Sequence, residues 1–216
     1  VIDTTRLRTG AIELGVPLAD TQLVQLERLV AELLRWNKAY NLTAITDPDE
    51  ILTHHLLDSL AAQPDLLGVT VADIGTGAGF PGLPLAIVNP ARQFTLVDAV
   101  DKKLRFIDHV ARELALPNVR TRHGRVEQLP PMAFDTVIAR AFAPLPRLAT
   151  WVAPLTGADT RVVAMKGRWP PVADAGPDAD GGPLPAGWRI EAVRPVNVPG
   201  LPEARHNILL RRSDAP

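Results

Sequence analysis

The sequence predicts an α/β fold: a doubly wound sheet with an antiparallel edge strand and an N-terminal helical extension. Three observations carry this expectation. After Gly68, short β-rich runs alternate with helix-length segments, the pattern of parallel crossovers. The last two apolar runs are separated only by "NVPGLPEA", whose prolines and glycine favour a turn and hence an antiparallel pair at the sheet edge. Before Gly68, the leucine spacing is helical.

Taken in order, Leu23, Leu26, Leu29, Val30, Leu33 and Leu34 recur at the three-and-four spacing of an amphipathic helix over Asp20 to Lys38. A second helix opens at "TDPDEI": Asp47 can cap it, Pro48 suits its first turn, and Asp49 and Glu50 complement its dipole. It should run to about Gln63, with "NKAYNLTAI" as the loop between the two helices. Residues 1–67 therefore read as an N-terminal helical cap and residues 68–216 as the α/β domain.

In that domain "VTVADI", "QFTLVD", "NVRTR", "FDTVIA" and "TRVVAMKG" read as strands, with helices over Leu83 to Val88, Lys102 to Leu116 and Leu145 to Leu155 between them. "WRIEAVRPV" and "RHNILLRR" form the closing pair. The segment from 170 to 187, "PPVADAGPDADGGPLPAG", is too rich in proline, glycine and aspartate for a regular element and reads as a surface loop.

Composition narrows the function classes. With 216 residues, 46% of them hydrophobic and 22% charged, the chain can bury a real core. No apolar run approaches the roughly 18 residues that span a bilayer, and the N-terminus lacks the pattern of a signal peptide, so the expectation is a cytoplasmic protein with no membrane partner. The absence of cysteine excludes a disulfide framework, a thiolate zinc site and a cysteine nucleophile. A net charge of −1 argues against gross electrostatic binding of nucleic acid, while a basic face opposite an acidic one stays open.

The stretch "VADIGTGAGFPG", Val71 to Gly82, places three glycines at alternate positions after an apolar run and an acid. A strand feeding a glycine turn and then a helix puts backbone amides at the carboxyl edge of the sheet, where doubly wound folds bind ligands. A nucleoside triphosphate loop needs Lys followed by Ser or Thr, but Phe80 and Pro81 follow Gly79. The dinucleotide fingerprint spaces its last two glycines by three, whereas Gly75, Gly77 and Gly79 are spaced by two, which leaves a redox enzyme as a rival reading. Asp98 ends the next strand, where it could accept hydrogen bonds from both hydroxyls of an adenosine ribose or simply cap the following helix. An acid before the glycine turn and a second acid at the end of the next strand resemble the S-adenosylmethionine-dependent methyltransferases.

The resemblance sharpens with "DIGTGAGFPGLPLAI", "TLVDAVDKKLRFI", "GRVEQLP", "FDTVIARAFAPL", "AMKG" and "EARHNILL", preceded by "WNKAYNLTAI" and "HHLLDSL". Over about Leu23 to Leu210, these blocks are similar to the RsmG (GidB) family, bacterial methyltransferases that modify guanine N7 in small-subunit (16S) ribosomal RNA. The resemblance implies a class I methyltransferase sheet, S-adenosyl-L-methionine as cofactor, and ribosomal RNA rather than DNA as partner, within the subunit or an assembly intermediate. It carries cofactor contacts to Gly75, Phe80, Val126, Glu127 and Arg140; Gly77 and Asp98 follow from the general methyltransferase pattern. Val126 and Glu127 could equally begin a short helix, and Arg140 could form a structural ion pair or hold the target base.

One expectation comes from topology. If "RHNILLRR" runs antiparallel, it begins at the edge where the parallel strands end, so Arg205 and His206 join Lys166 and Arg140 around one mouth, a basic rim suited to RNA phosphates. His54 and His55 point about 100 degrees apart on a helix and cannot share a metal as an i, i+4 pair would; no metal site is assigned. Guanine N7 carries an exposed lone pair and no proton, so its methylation needs alignment and no general base, and no catalytic acid or base is named. In A-form RNA, N7 lies in the deep major groove beyond the reach of side chains, which points to a loop or a splayed base as target. A noncatalytic ribosome-binding protein with this fold is the second rival.

Overall fold

The computed structural model describes residues 1–169 and 182–213. Helices α1 (Thr4–Glu13) and α2 (Asp20–Tyr40) open the chain, followed by α3 (Pro48–Ile51), one π-helical stretch (Leu52–Leu57) and α4 (Asp58–Leu60) in direct succession. Then come β1 (Thr70–Ile74), α5 (Gly82–Val88), β2 (Gln93–Asp98), α6 (Asp101–Glu113), β3 (Val119–His123), β4 (Phe134–Arg140), α7 (Leu145–Val152), β5 (Thr156–Lys166), β6 (Trp188–Val196) and β7 (Arg205–Arg212).

The seven strands form one sheet in the order β3-β2-β1-β4-β5-β7-β6. β1 to β5 are parallel, and β7 runs antiparallel to both β5 and β6, as the short connection between the last two strands predicts. The strand order reverses between β1 and β4, which makes the carboxyl edge around them the place for a ligand.

Strand alternation sorts the core into two faces. Val71, Leu96, Ile138, Val163 and Leu209 belong to one apolar cluster, which continues without a break into Leu7, Leu26, Leu33 and Leu57 of the cap helices and into α5 and α6. Their strand neighbours Ala72, Val97, Val137, Val162 and Leu210 pack with Leu148 and Val152 of α7 in the other. The sheet therefore reads as apolar on both sides because both sides are covered.

Local chemistry explains the boundaries. The Asp47 carboxylate accepts from the backbone N–H groups of Asp49 and Glu50, and Pro48 occupies the first helical position, as expected of that cap. α2 extends to Tyr40, two residues beyond the expected end, so part of "NKAYNLTAI" is helical. The cause is Asn37: its Oδ1 accepts from the N–H groups of Leu42 and Thr43, and its Nδ2 donates to the Thr43 carbonyl, so the turn folds back on the helix instead of leaving it. Asn41 takes the left-handed conformation that ends the helix. β5 begins at Thr156 rather than near Thr160, through an irregularity in its pairing with β4 between Phe134 and Thr136. Of the predicted loop at 170–187, residues 170–181 lie outside the described residues, and 182–187 form no helix or strand.

Candidate active site

Two cavities lie along the carboxyl edge of the sheet, one on each side of the strand reversal. The first, about 360 Å³, is walled by Gly75 after β1, Asp98 at the end of β2, Gly124, Val126 and Glu127 after β3, and the rings of Phe142 and Trp151. The second, about 430 Å³, takes Arg140 from β4, Lys166 from β5 and Arg205 from β7, with Ile45, His54, His55 and Asp58 from the cap.

The glycine loop between β1 and α5 is held from both ends. The N–H groups of Gly75 and Thr76 both donate to the Val97 carbonyl of β2, at 2.9 and 3.0 Å. Asp73, buried at the end of β1, accepts from the Thr76 hydroxyl at 2.5 Å and from the Gly82 N–H at 2.9 Å. Burial pushes its carboxyl up to about 6, against the pull of those two bonds, and its Oδ1 has no partner among the described residues.

All three glycines have positive φ, between 62° and 88°. A Cβ at Gly75 would meet the Phe142 ring at 2.2 Å, and one at Gly79 would meet Leu83 at 2.4 Å, so the protein's own side chains occupy those spaces. Of the three, Gly77 alone faces open space. Close approach by a ligand therefore concerns one glycine of the three.

Asp98 does not cap α6, whose N-cap is Val100 without a side-chain hydrogen bond; its carboxylate holds the two flanking loops instead. Its Oδ1 accepts from the Val100 N–H ahead of α6, its Oδ2 accepts from the Gly77 N–H, both at 2.9 Å, and Lys103 stands 3.7 Å away. A carboxylate offers about four acceptor positions, so lone pairs remain toward the cavity it lines. Val126 and Glu127 form a short 3₁₀ turn, and both line the first cavity.

Arg140 lines the second cavity, not the first. Its Nη1 donates to the His54 carbonyl at 2.8 Å and to Asp58 at 2.9 Å. Phe80 is buried beside that cavity: its ring stacks on His55 with centroids 4.8 Å apart, and the Arg140 guanidinium lies 5.9 Å from its centre. Desolvation, with Arg140 as the next contributor, lowers the His55 pKa to about 4, so the ring is neutral at physiological pH.

Lys166 Nζ donates to the Ala143 carbonyl at 2.5 Å, and His206, which faces Lys166 across the β5–β7 ladder, has its Nδ1 2.8 Å from the Gly167 carbonyl. The antiparallel register thus brings Arg140, Lys166 and Arg205 together, with His206 at the margin. Of the residues expected around the glycine loop, Gly75, Asp98, Val126 and Glu127 meet in the first cavity; Arg140 lines the second, Phe80 lines neither and is buried against His55, and Gly77 is bonded to Asp98. The sequence reading missed Lys103, Phe142 and Trp151 in the first cavity and Asp58 in the second.

The family model for rRNA small subunit methyltransferase G (GidB) matches residues 22–173. Relatives named ribosomal RNA small subunit methyltransferase G are 45% identical in Stutzerimonas stutzeri, covering 94% of this chain and 93% of the relative, and 43% identical in Erwinia tasmaniensis, covering 92% and 94%. Among solved structures, a SAM-dependent methyltransferase from Aquifex aeolicus superposes with a TM-score of 0.55 at 18% identity, over 76% of this chain and 94% of that one. A mutant of MtNAS in complex with S-adenosylmethionine superposes with a TM-score of 0.52 at 17% identity, over 98% and 78%. These structural likenesses establish the fold, a class I methyltransferase sheet with an antiparallel edge. Sequence identity over nearly the full length settles the rest: this chain belongs to the GidB family of small-subunit ribosomal RNA methyltransferases.

Proposed function

We propose that this protein transfers a methyl group from S-adenosylmethionine to N7 of a guanine in small-subunit ribosomal RNA, with the cofactor in the first cavity and the target nucleotide in the second. The observation that carries this reading is the pairing of two chemically different cavities along one sheet edge, one with a strand-end carboxylate and aromatic walls, the other lined by Arg140, Lys166 and Arg205.

The residues of the first cavity fit the cofactor. Asp98 has acceptor capacity left for ribose hydroxyls, Val126 and Glu127 line the same cavity and would border the adenine, and Phe142 and Trp151 supply apolar walls. The cofactor supplies an electrophilic methyl group on a sulfonium. The chain supplies alignment: Asp73 fixes the glycine loop from beneath, and Asp98 fixes it from the side through Gly77. Guanine N7 presents a lone pair without a proton, so no side chain has a proton to remove. Little net charge is created when positive charge passes from sulfur to the base, and positioning dominates the rate gain.

The target is read as a loop or splayed base within the assembled subunit or an assembly intermediate, in the cytoplasm, with Lys166, Arg205 and His206 holding phosphates. A net charge of −1 leaves the chain without a strong general attraction for RNA, so folded subunit shape supplies part of the binding. The test is to supply labelled S-adenosylmethionine with unmodified small subunits and, separately, protein-free RNA, then identify the methylated nucleoside by mass. The expected result is 7-methylguanosine at one site, formed faster on subunits. Cofactor binding without transfer to either substrate would overturn the substrate, and equal rates on both would overturn the role of the assembled subunit.

A further inference from the structure

The second cavity joins parts of the chain that lie far apart in sequence, and one buried carboxylate connects them. Asp58, on the cap, accepts at Oδ2 from Arg140 Nη1 of β4 at 2.9 Å and at Oδ1 from Arg205 Nε of β7 at 3.2 Å. Its side chain is 7% exposed, whereas those of Arg140 and Arg205 are 19% and 25% exposed and line the cavity. The π-helical stretch immediately before Asp58 places His54 so that its carbonyl accepts a second bond from Arg140. Such one-residue departures from α-helical geometry recur at functional sites.

One anion between two guanidinium groups leaves the cluster cationic, and it leaves donors over. Arg140 uses Nη1 for both of its bonds, and Arg205 uses Nε and Nη1; among the described residues, neither Nη2 has a hydrogen-bond partner. N–H donors of a guanidinium facing a cavity take acceptor atoms: a phosphate oxygen, or O6 of guanine, the acceptor next to N7. N7 must keep its lone pair for the methyl group, so the usual arginine fork on O6 and N7 together is excluded by the reaction itself.

Resting on the functional reading above, we infer that Asp58 is the positioning residue of the acceptor site. From the cap it fixes Arg140 and Arg205 as one donor pair that holds the target nucleotide through acceptor atoms. The helical cap is then part of the RNA site, and a change that leaves the methyltransferase sheet and cofactor cavity intact can disable transfer.

Asp58→Asn keeps size and one acceptor oxygen while removing the charge. Its kcat/KM on small subunits is expected to fall at least about tenfold, mainly through KM, with S-adenosylmethionine affinity within about twofold of the parent. Arg205→Ala is expected to fall similarly, and the double variant to fall at least about fivefold short of the product of the two losses, because one residue acts through the other. Arg205→Lys retains the ion pair but not the fork and should be impaired as well, a comparison that leaves Asp58 in place should its replacement unfold the protein. An Asp58→Asn variant within twofold of the parent, losses that multiply, or a fully active Arg205→Lys would each overturn the inference. Failure of the parent to methylate subunits would overturn the functional reading and this inference with it.

Discussion

His55 and Asp73 titrate abnormally for the same reason, burial, and with opposite consequences. The His55 ring lies between Thr43, whose Oγ1 is 3.0 Å from Nε2, and Phe80, and its Nδ1 has no partner among the described residues. With a folded pKa near 4 against 6.5, the unfolded chain binds the proton first as pH falls, so His55 withdraws stability between pH 6.5 and 4. Asp73, raised to about 6 from 3.8, takes up its proton first in the folded state and returns stability between pH 6 and 4. Replacing His55 by Phe removes only the first effect. Between pH 7.5 and pH 5 the stability of His55→Phe should therefore improve relative to the parent by about 2 kcal/mol, read from urea unfolding at the two pH values. Parallel pH profiles would mean that His55 titrates as in water. Residues of this scale differed in how far they could be read from sequence. Gly75, Asp98, Val126 and Glu127 stand at strand ends, and strand ends converge on one edge, so their meeting was predictable. Asp58 was not: its meaning comes from Arg140 and Arg205, 82 and 147 residues away, and an aspartate inside a helix carries no local mark of such partners.

At the scale of elements, the turn between α2 and α3 depends on one side chain. Asn37 is 9% exposed and makes three hydrogen bonds to the backbone of Leu42 and Thr43. The same turn delivers Thr43 to His55 and Ile45 to the second cavity. Asn37→Ala strands two N–H groups and a carbonyl in a largely buried place and should cost about 2 to 4 kcal/mol in denaturant unfolding. A loss below about 1 kcal/mol would show that water satisfies those groups. Most elements were legible because periodicity reports them directly: the parallel strands, α2, α6 and the antiparallel closing pair follow from spacing and turn residues alone. The end of α2 was misplaced because its fate is decided by the Asn37 side chain, and β5 was cut short because pairing with β4, not local propensity, orders residues 156–159.

For the whole molecule, charge total and charge placement lead to different expectations. A chain of net charge −1 should bind RNA weakly through its general field. Yet Arg140, Lys166 and Arg205 converge on one cavity where, among the described residues, Asp58 is the only carboxylate. Affinity for RNA should then depend on a few local phosphate contacts, with the remainder supplied by fit to the substrate. Lys166 is the useful probe because it stands at the end of β5 and lines the second cavity without lining the first. If it contacts a phosphate, Lys166→Ala should weaken subunit binding and lower the slope of log affinity against log salt by about one unit. Cofactor affinity should not change, because Lys166 does not line the first cavity. Titrations at three or more salt concentrations with parent and variant decide this. An unaltered slope would remove Lys166 from the phosphate contacts, whereas a lower slope accompanied by weaker cofactor binding would mean that the two cavities are not the separate sites their positions on either side of the strand reversal imply.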